Sequence, residues 1–407
     1  MPNKIIILTT GQPSTNPRMV KEYQALKEAG YHVKVYYSFW QKWASDADSI
    51  LFGEGEINKT DFVLVGGSLS VGKWTYKFSK ILQKTYQIIY NKTGFFKEAS
   101  LSRTTTHLIT AAKNDTADLY IAHNVGALPA AVIGAFKNKA KAGFDAEDYH
   151  RGEYKNQQSK SCQQLISIEN KYLIKCNYVT VASPLIGTSY KQHYSLQNFV
   201  NINNVFSKRF LQASKNQKSG SLSLFWFSQT IGPHRGLETV AKAMNLLSEK
   251  CQLDLYLMGS VSVGFDKELL KLSGGKNIHF LPPVSPNRVF GIAAQYDIGL
   301  SIEEPFFENR NVCLTNKLFT YLLAGNCIIF SDTDAQKDFL QAYKNTGYLF
   351  ESGNVKMLAE TIENLYNHHE MLEAVKNNNL ELATNELNWE KESKQFLTVI
   401  ENVLANT

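Results

Sequence analysis

The sequence predicts an α/β protein made of two successive doubly wound domains, each a parallel sheet with helices on both faces. Three observations carry this. Short apolar runs of the kind that form buried strands alternate with segments of helical periodicity along the whole chain. The 407 residues exceed one ordinary domain and suit two of roughly 200 each. The alternation breaks around residues 214–220, where the chain turns polar and small, as a linker does.

Ile5-Ile6-Ile7-Leu8 is the first strand, ending in the loop signal Thr9-Thr10-Gly11. Met19, Val20, Tyr23, Leu26 and Ala29 then recur at helical spacing, and Gly30 is placed to end that helix. Val33 to Tyr37 is a second strand, which completes a βαβ unit and implies parallel pairing. Further strands are expected at 62–65, 118–122 and 178–182, then in a second series at 222–227, 253–258, 278–281, 298–302, 327–330 and 348–350. We expect an N-terminal domain over 1–204, a C-terminal domain over 205–385, and a terminal helix over 386–407 that packs back toward the N-terminal domain. Trp389, Phe396, Leu397, Ile400 and Val403 lie on one face of that helix.

Composition sets bounds. A hydrophobic fraction of 43% with 20% charged residues is that of a globular chain, which excludes disordered and collagen-like classes. No apolar run approaches the length of a membrane span. The first apolar run is too short for a signal peptide, so a cytoplasmic protein is expected. Five cysteines without a C-x-x-C pair argue for reduced, mostly buried thiols rather than zinc or a disulfide framework. The net charge is +6, and all of it is concentrated in residues 73–103, where Lys73, Lys77, Lys80, Lys84, Lys92, Lys97 and Arg103 face Glu98 alone.

Open parallel sheets bind ligands beyond the carboxyl ends of their strands, so loops that follow strands are where chemistry is sought. One runs from Ser228 to Gly236. It leads into a helix, whose N-terminus offers free N–H groups to phosphate. Gly232 and Gly236 allow close backbone approach, and Arg235 adds a forked cation. A second candidate begins at Asn316-Lys317, in the first turn of an apolar helix that Gly325 ends. A helix N-terminus disfavours a cation, so Lys317 there implies a nearby anion.

The stretch from Asp297-Ile298-Gly299-Leu300 through Asn316-Lys317-Leu318-Phe319-x-Tyr321-Leu322-x-Ala324-Gly325 resembles family-4-type glycosyltransferases of GT-B fold. Arg235-Gly236-Leu237-Glu238 looks like that family's phosphate-binding turn. Pro17-Arg18, Gly30-Tyr31-His32-Val33, Asp118-x-x-x-x-His123 and Phe144-Asp145-Ala146-Glu147-Asp148 match weaker family positions, so the likeness runs over nearly the whole chain.

The resemblance implies a GT-B enzyme with its active site between the two domains. Arg235 and Lys317 would hold the donor diphosphate and neutralise the departing nucleotide. His123 would face the sugar or the β-phosphate. Gly232, Gly236, Asn316, Leu318, Thr320, Glu303 and Glu304 would line the donor side, and Gly11, Asn124 and Asp148 the acceptor side. Retention of anomeric configuration without a bound metal or other cofactor is also implied. Two departures stand out. Thr320 occupies the place of the family's ribose-binding Glu, and Val312 that of its partner Glu eight residues earlier. Glu303 or Glu304 is the candidate replacement.

Asp46-Ala47-Asp48 and Asp332-Thr333-Asp334 look like D-x-D metal motifs but read better as an acidic turn and a helix cap. On a helix, Lys73, Lys77, Lys80 and Lys84 form one stripe beside an apolar face of Trp74, Phe78, Ile81, Leu82, Ile88 and Ile89. That face either packs on the sheet or meets the inner, anionic surface of a membrane. Nothing else supports nucleic acid as a partner. The expected function is transfer of a UDP- or GDP-linked sugar to a glycan or lipid-linked acceptor in cell-surface polysaccharide synthesis. The alternatives are a GT-B nucleotide-sugar epimerase and a degenerate, non-catalytic scaffold.

Overall fold

The computed structural model describes residues 3–53, 55, 57–194, 199–211, 220–247, 249–275 and 277–405. Most of the expected linker, 214–219, lies outside the described residues. The chain divides into two compact units, one of residues 1–202 with 393–407 and the other of residues 203–392.

The first unit holds a seven-stranded sheet of β1 (Lys4–Thr9), β2 (His32–Ser38), β3 (Phe62–Val65), β4 (Leu119–His123), β5 (Lys141–Ala146), β6 (Tyr178–Val181) and β7 (Val200–Asn201), ordered β3-β2-β1-β4-β5-β6-β7. The second holds six strands, β8 (Leu222–Ile231), β9 (Leu253–Val261), β10 (Ile278–Leu281), β11 (Ile298–Ser301), β12 (Cys327–Ser331) and β13 (Gly347–Phe350), ordered β10-β9-β8-β11-β12-β13. Every strand pairing among the described residues is parallel. In β1, Ile5, Ile6, Ile7 and Leu8 are all fully buried. Helices cover both sheet faces, so the central strand reads as an unbroken apolar run, not an alternating one. The second core gathers Leu224, Trp226, Leu255, Leu300 and Ile329 in the same way.

Two strands escape the sequence reading. β7 is only two residues long. β5, Lys-Ala-Gly-Phe-Asp-Ala, lacks the β-branched signature. Its glycine has a packing cause, because a Cβ at Gly143 would lie 2.2 Å from the Tyr178 ring. The structure also corrects two boundaries. Residues 228–231, read as loop, extend β8 through a bulge between Phe227 and Thr230. Asp46-Ala47-Asp48 lies inside a helix, Lys42–Gly53, rather than in a turn. All five cysteines are free, and three of them are buried.

Candidate active site

In both sheets the strand order reverses once, between β1 and β4 in the first and between β8 and β11 in the second. The crevice outside the carboxyl ends of strands at such a reversal is where doubly wound sheets bind ligands.

In the first unit a cavity of about 170 Å³ opens at this point. Gly11, His123, Asn124 and Asp148 all line it, together with Asp145 and Glu147, so the sequence-expected residues of this half converge. Asn124 follows β4 with φ +67°, a left-handed conformation that costs a non-glycine residue free energy. Its side chain holds it there. The amide donates to Thr9 Oγ1 at 3.1 Å, and Thr10 Oγ1 donates to its carbonyl at 2.7 Å. Asn124 thus ties β4 to β1 across the reversal.

His123 departs from expectation. It is almost fully buried, and its ring nitrogens face two carboxylates, Glu22 Oε2 at 3.0 Å and Asp145 Oδ2 at 3.3 Å. Arg18 completes the cluster. Asn16 caps the Pro17–Glu28 helix by accepting from the Met19 N–H, which sets Arg18 in the first turn facing inward. The guanidinium makes a fork onto Asp145, with Nε and Nη2 each at 2.7 Å, and donates to the Ile202 carbonyl at 2.5 Å. Thr180 Oγ1 donates to the same carboxylate at 2.7 Å. Burial opposes every charge in this group. For His123 it is outweighed by Glu22 and Asp145, which hold the imidazole up to about 10. Asp145 is held well below the usual carboxylate range despite burial, chiefly by Arg18. Glu22 is raised, first by burial and then by Asp145.

Ligand atoms of Glu22, His123 and Asp145 come within 4.8 Å of one another, a spacing compatible with a metal. Their charge is already matched, however. Two carboxylates face the Arg18 guanidinium and an imidazolium, both desolvated. At the cavity wall, burial and then the neighbouring Asp148 charge push the Glu147 carboxyl up to about 7.

In the second unit the phosphate-type turn is Gly232 to Gly236. A Cβ on Gly232 would lie 2.8 Å from Ser262 Oγ. Gly236, at φ +78°, is the N-cap of the Leu237–Leu246 helix. The β8 bulge presents Ser228, whose Oγ accepts from Arg235 at 3.1 Å. Arg310 donates to the His234 carbonyl at 3.2 Å, and the His234 N–H donates to Glu238 at 3.1 Å. Burial and then Arg310 lower the Arg235 pKa, so two guanidinium groups share this turn.

Asn316 and Lys317 open the Asn316–Ala324 helix, as the motif predicts. The anion that Lys317 requires belongs to the protein. Its Nζ meets Glu303 Oε1 at 2.5 Å and stands 5.7 Å over the Trp226 ring. Glu303 leaves β11 on a loop whose backbone is tied to β12, through its N–H to Ser331 Oγ at 2.8 Å. The Glu304 carboxyl is raised, by burial first and then by Glu238. Gly232, Gly236, Arg235, Glu303, Glu304 and the start of the 316 helix therefore gather at the β8–β11 reversal.

Two expected donor contacts are corrected. Leu318 is fully buried among the apolar side chains of its helix. Thr320 is also buried, and its hydroxyl donates to the Asn316 carbonyl at 2.9 Å within the same helix, so its one donor is spent on its own backbone. Both D-x-D sequences have structural partners. Asp48 accepts from Gln12 and from the Ser14 N–H, each at 2.8 Å. Asp332 accepts from the Ser352 N–H, and Thr333 caps the following helix. The sequence reading missed Glu22 and Arg310. Only the i,i+4 spacing of Arg18 and Glu22 hinted at the former.

Residues 238–398 match the family model described as "Glycosyl transferase-like". No curated protein sequence matches the chain. Among solved structures it is similar to HepE from Anabaena in complex with UDP, with a TM-score of 0.72, 15% identity, and coverage of 98% of this chain and 100% of that one. It is similar to sucrose-phosphate synthase from Thermosynechococcus elongatus at TM-score 0.69 and 12% identity, with both chains covered completely. S. aureus TarM, in complex with fondaparinux, alpha-GlcNAc-glycerol and UDP, matches at TM-score 0.65 and 11% identity over 98% of this chain and 99% of that one. The fold of the whole chain is thus the GT-B fold of these structures, and most of its second unit matches a glycosyl transferase-like family. The chain carries a cationic and an acidic strand-end site, one in each unit.

Proposed function

We propose that this enzyme transfers a sugar from a UDP- or GDP-linked donor to a glycan or lipid-linked acceptor in cell-surface polysaccharide synthesis. The observation that carries the reading is the gathering of Arg235, Arg310 and Lys317 around a glycine turn at a helix N-terminus. Free N–H groups and guanidinium forks suit a diphosphate. HepE has also been solved with UDP-glucose, which favours UDP over GDP as the first donor to test.

Arg235 and Lys317 stabilise the charge that develops on the leaving diphosphate, which is preorganised electrostatic catalysis. The diphosphate competes with Glu303 for Lys317. In the first unit, Asn124, Glu147 and Asp148 provide acceptors for sugar hydroxyls. The reaction proceeds with retention and needs no metal, since Arg235, Arg310 and Lys317 supply the positive charge beside the diphosphate. The enzyme works at the cytoplasmic side, in peripheral contact with an anionic membrane through residues 73–103. No helix among the described residues is long and apolar enough to cross a membrane.

The test is thermal shift with UDP, GDP, ADP and their sugars. A donor at 100 times its Kd adds about 2.7 kcal/mol of stability. A UDP or GDP shift that Lys317→Ala abolishes supports the reading. No shift with any nucleotide points to a scaffold, and conversion of the donor without acceptor points to an epimerase. The anomeric proton of the product decides retention.

A further inference from the structure

The Lys73–Thr93 helix is anchored to the first unit by one side only. Arg103 provides the anchor and is not part of a basic surface. It donates to Ser79 Oγ and to the Phe39 carbonyl, each at 2.9 Å, and stacks on Tyr76 at 4.8 Å. Tyr76, Leu82, Tyr86 and Ile89 are half-buried on that side. The expected single apolar face is therefore split in two.

On the other side Trp74, Phe78, Ile81 and Ile88 are 81%, 65%, 63% and 57% exposed. Their spacing sets them on one stripe. Lys73, Lys77, Lys80 and Lys84, all exposed, run along its edge, and Lys77 Nζ lies 5.0 Å over the Trp74 ring. The helix contains no acidic residue. Phe95 and Phe96 after the helix, and Leu69 and Val71 before it, are also exposed. On the anchored side Phe39, next to the exposed Trp40, packs edge-on against Tyr76 at 5.4 Å. The Trp40 and Gln41 N–H groups donate to Gln12 Oε1 at 2.9 and 2.8 Å, and Gln12 follows the cavity-lining Gly11.

We propose that this helix lies in the plane of an anionic lipid bilayer, with Trp74, Phe78, Ile81 and Ile88 below the headgroups and the lysines on lipid phosphates. The inference rests on the membrane contact proposed above and specifies which face makes it and how. A patch of this size is rarely left to water. The unbroken lysine row selects an anionic partner, and an aromatic stripe along a helix about 30 Å long suits a flat apolar layer. Through Gln12 the surface connects to the first-unit cavity, where a lipid-linked acceptor would enter.

The experiment is flotation of the full chain with phosphatidylcholine vesicles, with and without phosphatidylglycerol, read together with Trp emission. Wild type is expected to float with the anionic vesicles only and to show a blue shift that Trp74→Phe diminishes. Lys77→Gln with Lys84→Gln should weaken binding about fivefold per lysine. Trp74→Ser with Phe78→Ser should weaken it more than about tenfold. Wild type that ignores anionic vesicles, or binding that survives both double variants, overturns the proposal. So does a wild-type dimer that Trp74→Ser with Phe78→Ser makes monomeric, since a second copy then covers the stripe. The UDP thermal shift of each variant reports folding and tests the donor reading separately. A normal UDP shift without vesicle binding overturns this inference alone, and vesicle binding without any nucleotide shift overturns the donor reading alone.

Discussion

The two sheet reversals share one topology and carry opposite electrostatics. At β1–β4 the charges are buried at the cavity, where Arg18, Glu22, His123 and Asp145 neutralise one another, and Glu147 and Asp148 line the wall with them. At β8–β11 the cations stay half-buried around a glycine turn, where Lys317 pairs with Glu303 and Arg235 and Arg310 bond to neutral oxygens. The topology fixes where a ligand sits, and the burial of charge decides which ligand. A desolvated, balanced cluster is a structural brace under a wall of carboxylates. A half-solvated cation group can still gain by taking up phosphate.

The comparison predicts different failures in the two halves. Arg18→Met should be the most damaging change. It leaves Asp145 and Glu22 buried beside one cation, at a cost of about 3–5 kcal/mol, read as a lower urea midpoint. A loss below about 1 kcal/mol would mean that the cluster braces little. The same cluster sets a pH dependence. His123 is raised from 6.5 to about 10 in the folded state, so its contribution is complete below the lower value and disappears as pH rises through the upper one. Thermal stability should fall on that alkaline side, and His123→Gln should flatten the fall.

Lys317→Ala should act on function more than on folding. Loss of a charge-assisted contact to the diphosphate should cost about 1.5–3 kcal/mol of UDP binding by calorimetry. If stability collapses instead, the second site is as much a brace as the first. Gly236→Ala forces a side chain into a left-handed cap with Ile302 at 3.4 Å, and about 1–2 kcal/mol of stability should be lost with weaker UDP binding. Thr320→Val should be the mildest change, altering UDP affinity by less than about twofold, because its hydroxyl serves its own helix. A tenfold loss would restore it to the donor site.

Most of the architecture was legible because β1, β4 and β12 are largely continuous apolar runs that a doubly covered parallel sheet accommodates. The glycine turn was legible because the residues that build it, Gly232 to Gly236, are consecutive. The brace was not, since Arg18 meets Asp145 across 127 residues, and an arginine in the first turn of a helix reads as surface. The Lys317–Glu303 pair was half legible, because position alone demanded an anion but could not say that the protein supplied one. Thr320 misled because its place in a motif says nothing of which way its hydroxyl bonds.

The first unit is not contiguous in sequence. It leaves off at residue 202 and takes in residues 393–407, where Phe396 and Ile400 are fully buried. During synthesis the second unit therefore has all its residues outside the ribosome before the first does. The unit that begins first has its core closed only when residues 393–407 are in place. A fragment ending near residue 202 should expose the apolar surface that those turns cover, so its solubility is set by a segment nearly 200 positions downstream.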